Sequence, residues 1–97
     1  RSFSALFAGN DTVAFGAIRA LDEAGLSTPR DVAVVGFDDV PLAAFVTPPL
    51  STLRTDPVLQ GKEAVDLLMA RISGESRKRP EKCYEIPLII RKSCGMK

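Results

Sequence analysis

The sequence predicts an α/β fold, part of a doubly wound parallel sheet, and three observations carry that expectation. Short apolar runs alternate with amphipathic stretches in the order β-α-β-(short α)-β-α-β. Val32-Ala33-Val34-Val35-Gly36-Phe37 is apolar at both alternating sets of positions, the pattern of a strand whose two faces are both covered by helices. Helix-start and helix-stop residues punctuate the chain at the junctions between these segments. At 97 residues the chain is one domain's worth or less, and its 45% hydrophobic content supplies a core.

Each element follows from its residues. Ser4-Ala5-Leu6-Phe7-Ala8 is a short apolar run ending at Gly9, which reads as a buried strand. Asn10-Asp11-Thr12 then offers a polar cap and an acid near the positive end of a helix dipole. Val13, Ala17, Leu21 and Ala24 recur at helical spacing and predict one apolar stripe, with Gly25 ready to end the helix. Pro29 breaks the connection to the Val32–Phe37 strand, which stops at Asp38-Asp39. Pro41 to Phe45 reads as a short helix or turn, and Leu50 to Arg54 as an extended segment. Asp56-Pro57 is a second helix start, cap followed by Pro at the first helical position. Gly61, Ala64, Val65, Leu68 and Ile72 form its stripe and Gly74 closes it. Glu75 to Lys82 is a charged connection, and Tyr84 to Arg91 reads as a last strand.

Composition excludes several functions. Thirteen basic against twelve acidic residues leave a net charge of +1, too little for a field that would hold nucleic acid by itself. The absence of His removes Ser-His-Asp triads, Cys-His dyads and His-ligated metal sites. Cys83 and Cys94 belong to no CxxC pair and read as free thiols of a reducing compartment. No apolar run approaches the ~18 residues of a membrane span, and the segment from Arg1 shows no secretion signal. Neither GxxxxGK[ST] nor GxGxxG occurs, so no phosphate or dinucleotide loop is read, and with no His present neither a cofactor nor a metal is expected. The basic group Arg77, Lys78, Arg79 and Lys82 reads as a solvated loop. The lack of an initiator Met raises the expectation that the chain is a piece of something longer.

In open parallel sheets, ligands sit beyond the carboxyl ends of strands. Two clusters fall there: Gly9-Asn10-Asp11 after the first strand and Asp38-Asp39 after the second. Asn10 can donate to and accept from a ligand hydroxyl, or simply cap the helix. Asp38 and Asp39 can accept hydrogen bonds from ligand hydroxyls or ring nitrogens, or cap the short helix near Pro41. Adjacent residues on extended backbone point in opposite directions, so the two acids are unsuited to act as a catalytic pair on one substrate.

Taken in order, Phe7-Ala8-Gly9-Asn10-Asp11, Ala14-Phe15-Gly16-Ala17, Ala20-Leu21 with Gly25-Leu26, and Pro29-Arg30-Asp31-Val32 form a recognisable series. Val35-Gly36-Phe37-Asp38-Asp39, Thr47-Pro48-Pro49-Leu50-Ser51-Thr52-Leu53-Arg54 and the closing Arg91-Lys92-Ser93-Cys94 continue it. The series resembles the C-terminal part of the LacI/GalR family of bacterial transcription regulators.

The resemblance implies a periplasmic-binding-protein-like, Rossmann-like sensor domain of two subdomains. A small-molecule effector, a sugar or a nucleobase, would bind between them and control operator DNA binding by a helix-turn-helix headpiece. Asn10, Asp38 and Thr55 match positions toward the effector. Thr55 stands where some sugar-responsive members carry Gln, which leaves the ligand's identity open. Phe15, Leu42, Phe45 and Val46 match the face that pairs two copies into a homodimer. Residues 1–52 would belong to the C-terminal subdomain, 53–82 would form a crossover and helix toward the N-terminal subdomain, and 83–97 the returning strand and tail. The headpiece is absent from these residues, and a cytoplasmic location without membrane contact follows from the family. A fragment of a periplasmic sugar-binding transport protein is the alternative on the same fold. An enzyme using Asp38 and Asp39 is the third reading.

Overall fold

The computed structural model describes residues 2–74 and 83–96. The chain divides into two units, Arg1–Thr55 with Ile86–Lys97, and Asp56–Glu85.

In the first unit, β1 (Ala5–Phe7), β2 (Ala33–Asp38), β3 (Ser51–Arg54) and β4 (Leu88–Ile89) form one sheet in the order β1-β2-β3-β4. The first three strands are parallel, and β4 runs antiparallel against β3. The last strand is therefore much shorter than the apolar run from Tyr84 to Arg91 implies, and it closes the sheet in the opposite sense. Register places Phe7 beside Val35, and Asp38 beside Arg54. The carboxyl ends of β1, β2 and β3 thus lie along one edge of the sheet.

Helix α1 (Asp11–Glu23) connects β1 to β2. It ends with the left-handed turn that Gly25 permits at φ 78°. There the Leu26 N–H donates to the Leu21 carbonyl (2.8 Å) and the Gly25 N–H to the Asp22 carbonyl (3.0 Å). The buried stripe is Asp11, Ala14 and Leu21, and Val13 is exposed. The helix is turned away from the Val13-Ala17-Leu21-Ala24 stripe that hydropathy predicts. The reason is polar: Asp11 is fully buried and hydrogen-bonded, which sets the helix phase and carries Ala14, Ile18 and Leu21 inward at helical spacing.

Val32, Val34 and Leu50 are fully buried and form the core with Ala8, Ala14, Leu21 and Ala43. On β2, Val34 and Gly36 face this core while Ala33, Val35 and Phe37 are half-buried on the opposite face. There Ala5, Phe7, Ala33, Val35, Leu53 and Leu88 line an open apolar hollow. Both faces of β2 are apolar as expected, yet within this unit the described residues bury only one of them. Gly36 is required by close approach: a Cβ there would strike the Asp11 carboxylate and lie 2.9 Å from Leu50 Cδ2.

A turn of 3-10 helix at Pro41–Ala44 leads to β3. Beside β3 the tail is stitched into the core by Ser93. Its hydroxyl donates to the Val34 carbonyl (2.6 Å) and accepts from the Ser51 N–H (2.8 Å). Its backbone accepts from the Val34 N–H (2.9 Å) and donates to the Pro49 carbonyl (3.0 Å). Every buried polar atom of Ser93 thus has the partner that burial requires.

In the second unit, helix α2 (Pro57–Ile72) begins at Asp56, whose Oδ1 accepts from the Leu59 N–H (3.0 Å), and stops before Gly74 at φ 82°. None of its residues is buried, and Val65, Leu68 and Ile72 of its apolar stripe are exposed. Tyr84 donates its hydroxyl to Glu63 (3.1 Å). No helix of the described residues is long and apolar enough to cross a membrane. Both cysteines are free thiols. The basic group Arg77, Lys78, Arg79 and Lys82 lies outside the described residues.

Candidate functional site

The candidate site is the polar edge where the three parallel strands end. Asn10, Asp38 and Thr55 all stand on it, each just past or at the end of a different strand. Asn10 is the N-cap of α1, its Oδ1 accepting from the Val13 N–H at 2.9 Å. Capping leaves its amide NH2 without a hydrogen bond among the described residues, so capping and ligand contact are compatible uses of one side chain. Asp38 is exposed, and its carboxylate has no partner among the described residues. Its backbone carbonyl accepts from the Thr55 hydroxyl at 3.5 Å. Thr55 therefore reaches Asp38 through the main chain.

Asp38 and Asp39 both adopt positive φ, 117° and 58°. Such backbone is disfavoured for any residue with a Cβ and is held only where the surroundings fix it. The two acids part company here. Asp39 turns inward, with its side chain 8% exposed, and Arg54 donates from Nε to its Oδ2 (2.7 Å) while Arg91 donates to its Oδ1 (2.9 Å). Arg91 also donates to the Leu50 carbonyl (2.9 Å). Burial pushes the Asp39 carboxyl up, but the hydrogen bonds and charges of Arg54 and Arg91 outweigh it and hold the group below its ordinary 3.8. Asp39 is thus tied up by two arginines while Asp38 is exposed, and no hydrogen bond joins the two carboxyl groups among the described residues. Neither caps the 3-10 turn, whose N-cap Val40 has no side-chain capping bond.

Hydropathy reading missed the group that organises this edge. Asp11 reads in the sequence as a first-turn acid, whose favourable place is the helix dipole. In the fold it is fully buried, accepting from the Thr52 hydroxyl at 2.6 Å and the Val40 N–H at 2.8 Å. Thr52 in turn accepts from the Asp39 N–H at 3.3 Å. One carboxylate and one hydroxyl thus join the start of α1, the turn after β2 and the middle of β3. The single sequence signal for this was Gly36, a glycine inside a strand, which marks a close approach without naming its partner.

Of the residues matched to a dimer face, Phe45 is 80% exposed and Leu42 is 55% exposed. Phe15 and Val46 are half-buried and line, with Ile18, Leu26 and Pro48, a groove of about 510 Å3 beside α1. All four belong to the first unit.

Comparison with known proteins places the chain. Residues 2–94 match the periplasmic binding protein-like domain family. A lactose operon repressor of Rhizobium radiobacter is 56% identical over 70 residues, covering 72% of this chain and 62% of that protein. The HTH-type transcriptional regulator MalR of Streptomyces coelicolor is 42% identical over 93 residues, covering 96% of this chain and 27% of that one. Among solved structures, the lac repressor dimer bound to operator and the anti-inducer ONPF superposes with a TM-score of 0.79 at 34% identity, over 93% of this chain and 31% of that one. A complex of the transcriptional regulator CelR with cellobiose gives 0.80 at 37% identity, over 93% and 28%. The chain therefore spans between about a quarter and two-thirds of the length of these relatives. The ordered motifs, the parallel sheet and the match over residues 2–94 agree: this chain belongs to the periplasmic binding protein-like domain family, in the form carried by LacI/GalR-type transcription regulators.

Proposed function

We propose that the chain is the effector-sensing and dimerisation portion of a bacterial LacI-type repressor. A small molecule of the sugar or nucleobase class binds against Asn10, Asp38 and Thr55 and controls operator binding by a helix-turn-helix headpiece outside these residues. The observation that carries the reading is the exposed Asp38 carboxylate, without a partner among the described residues and held at positive φ on the same sheet edge as Asn10. An acceptor and an amide, both without a side-chain partner for these groups among the described residues and both on one edge, suit a ligand rich in hydroxyl or N–H groups. Both nearby arginines are engaged by Asp39, so the edge favours an uncharged ligand over an anion.

Control is by linkage: an effector that prefers one arrangement of the regulator shifts the population able to hold DNA. Residues 1–52 belong in this reading to the C-terminal subdomain, 53–82 to the crossover and helix, and 83–97 to the return. Phe15, Leu42, Phe45 and Val46 pair two copies, which supports a homodimer. The site binds without turnover, since Asp39 is neutralised by two cations and leaves Asp38 without a partner acid. The similarity to repressors supports this reading over a periplasmic transport protein, and a cytoplasmic location goes with it.

The test uses the full product of the gene. Lactose, cellobiose, ribose and hypoxanthine are screened by thermal shift, and operator binding is followed by gel shift. At least one compound should raise Tm and change operator affinity in the wild type. Asp38→Ala should abolish that response while operator binding persists. An unchanged response in Asp38→Ala, or no compound acting on the wild type, defeats the assignment.

A further inference from the structure

Asp39 lies one residue beyond the ligand-facing Asp38 and is fastened from three directions. Arg54, the last residue of β3, holds Oδ2 at 2.7 Å, and Arg91, two residues past β4, holds Oδ1 at 2.9 Å. The Asp39 N–H is held by Thr52 at 3.3 Å, and the next amide, Val40, by Asp11 at 2.8 Å. Asp38 has no such fastening of its side chain, and its direction is set by its backbone. That backbone has a disfavoured φ of 117°. Left to itself, a non-glycine residue in this state would relax, and its carboxylate would leave its place on this edge. On one side the pairing of Asp38 with Arg54 and the Thr55 hydrogen bond oppose relaxation, and on the other the fixed residue that follows does so.

The charges carry a second consequence. Arg54 and Arg91 bring two cations to the edge on which Asn10 and Asp38 stand, and the Asp39 carboxylate engages both. A guanidinium in a good pair with a carboxylate has fewer donors left for a ligand. Released, the same two groups form an anion-binding pair beside the ligand edge.

From this we infer that Asp39 is the positioning residue of the site: it fixes Asp38 toward the effector and withholds Arg54 and Arg91 from it, so that an uncharged ligand is selected over an anionic one. The inference rests on the effector reading above and deepens it.

Isothermal titration of the full gene product tests it, with two probes. One is whichever of lactose, cellobiose, ribose or hypoxanthine stabilises the wild type, and the other is inorganic phosphate. Asp39→Asn should weaken the uncharged probe by about tenfold or more and strengthen phosphate binding, the scale of a lost charge-assisted bond. Partial unfolding would lower both affinities together, so opposite signs mark positioning. Should circular dichroism show Asp39→Asn unfolded, Arg54→Gln serves instead. That variant removes only the half-exposed pair and should weaken the uncharged probe severalfold without a gain for phosphate. The inference is overturned if Asp39→Asn binds both probes as the wild type does, if both affinities fall in parallel, or if Arg54→Gln in the folded state changes nothing. Loss of sugar or nucleobase binding in Asp38→Ala with none in Asp39→Asn leaves the effector reading standing and sinks only the positioning role. A wild type that binds no probe overturns both.

Discussion

Helices α1 and α2 begin and end by the same devices and meet different fates. Asn10 and Asp56 each cap with a side-chain oxygen on the amide three residues on, at 2.9 and 3.0 Å. Each helix stops short of a glycine in the left-handed region, Gly25 at φ 78° and Gly74 at φ 82°. Yet α1 buries Asp11, Ala14 and Leu21, whereas α2 buries nothing. Ends of helices are set by local hydrogen bonding, and burial by partners far away in sequence. The comparison separates what a short stretch of chain determines from what the rest of the fold must supply.

The widest test of that separation pairs Leu50 with Leu68. Leu50 is fully buried between the core of the sheet and the 3-10 turn, and Leu68 is exposed on α2. In this chain, Leu50→Ala should cost about 2–5 kcal/mol, the range for truncating a buried leucine. Leu68→Ala should stay within about 0.5 kcal/mol, as surface changes do. Urea unfolding followed by circular dichroism measures both. Equal losses would show that Leu68 is packed as tightly as the core of the first unit.

Gly36→Ala is a sharper probe of the same region. Its new Cβ meets the Asp11 carboxylate and Leu50, so the latch to Thr52 and Val40 must move or break. Overpacking of this kind typically costs about 1–3 kcal/mol. Asp11→Ala removes the latch directly and leaves the Thr52 hydroxyl and Val40 N–H without it, a loss of about 1–3 kcal/mol. Because the two changes act on one contact, the double variant should lose less than the sum of the singles. Additive losses in denaturant titrations would mean that the latch and the close approach are independent.

The same contrast explains what was legible in the sequence. Val32 to Phe37 alternating against nothing polar, Asn10 and Asp56 as caps, and Gly25 and Gly74 as stops are local signals, and each appears in the fold where its residues place it. The order of elements along the chain and the common edge of Asn10, Asp38 and Thr55 followed from the β-α-β arrangement together with the family resemblance, whereas the antiparallel closing strand did not. The helix phase did not, because hydropathy ranks Val13 above Asp11, and only a hydrogen bond to Thr52, 41 residues away, reverses them. The pairing of Asp39 with Arg91 spans 52 residues and leaves no periodic trace. Nor does Ser93, a small polar residue whose burial depends on two strands meeting it.

Acid should find the difference between the two regions as well. Arg54 and Arg91 hold the Asp39 carboxyl below 3.8, so in the fold it gives up its proton more readily than in the unfolded chain. Its contribution to stability is therefore fully present above 3.8 and is lost as pH falls from there through the lower folded value. Compared with Asp39→Asn, the wild type should hold a constant advantage above pH 5 that closes as the solution is acidified below about 4. Thermal melts of both across that range supply the check. A gap that widens toward low pH would reverse the sign and refute the ion-pair account.

The smallest expected effect bears most directly on the comparison. If the two caps are local devices of equal kind, Asn10→Ala and Asp56→Ala should each remove about 1 kcal/mol from its own helix. The consequences for the chain should still differ. Losing the Asn10 cap loosens the turn that carries Asp11 into the core, so the cost should appear in global unfolding. Losing the Asp56 cap frays a helix with no buried residues, so the cost should appear as faster amide exchange at Leu59 and Gln60 while the global midpoint stays where it was. Residue-resolved hydrogen exchange distinguishes the two. Local fraying in both variants would mean that α1 is held by its cap alone and that Asp11 contributes little. Global loss in both would mean that α2 shares the cooperative unit of the sheet.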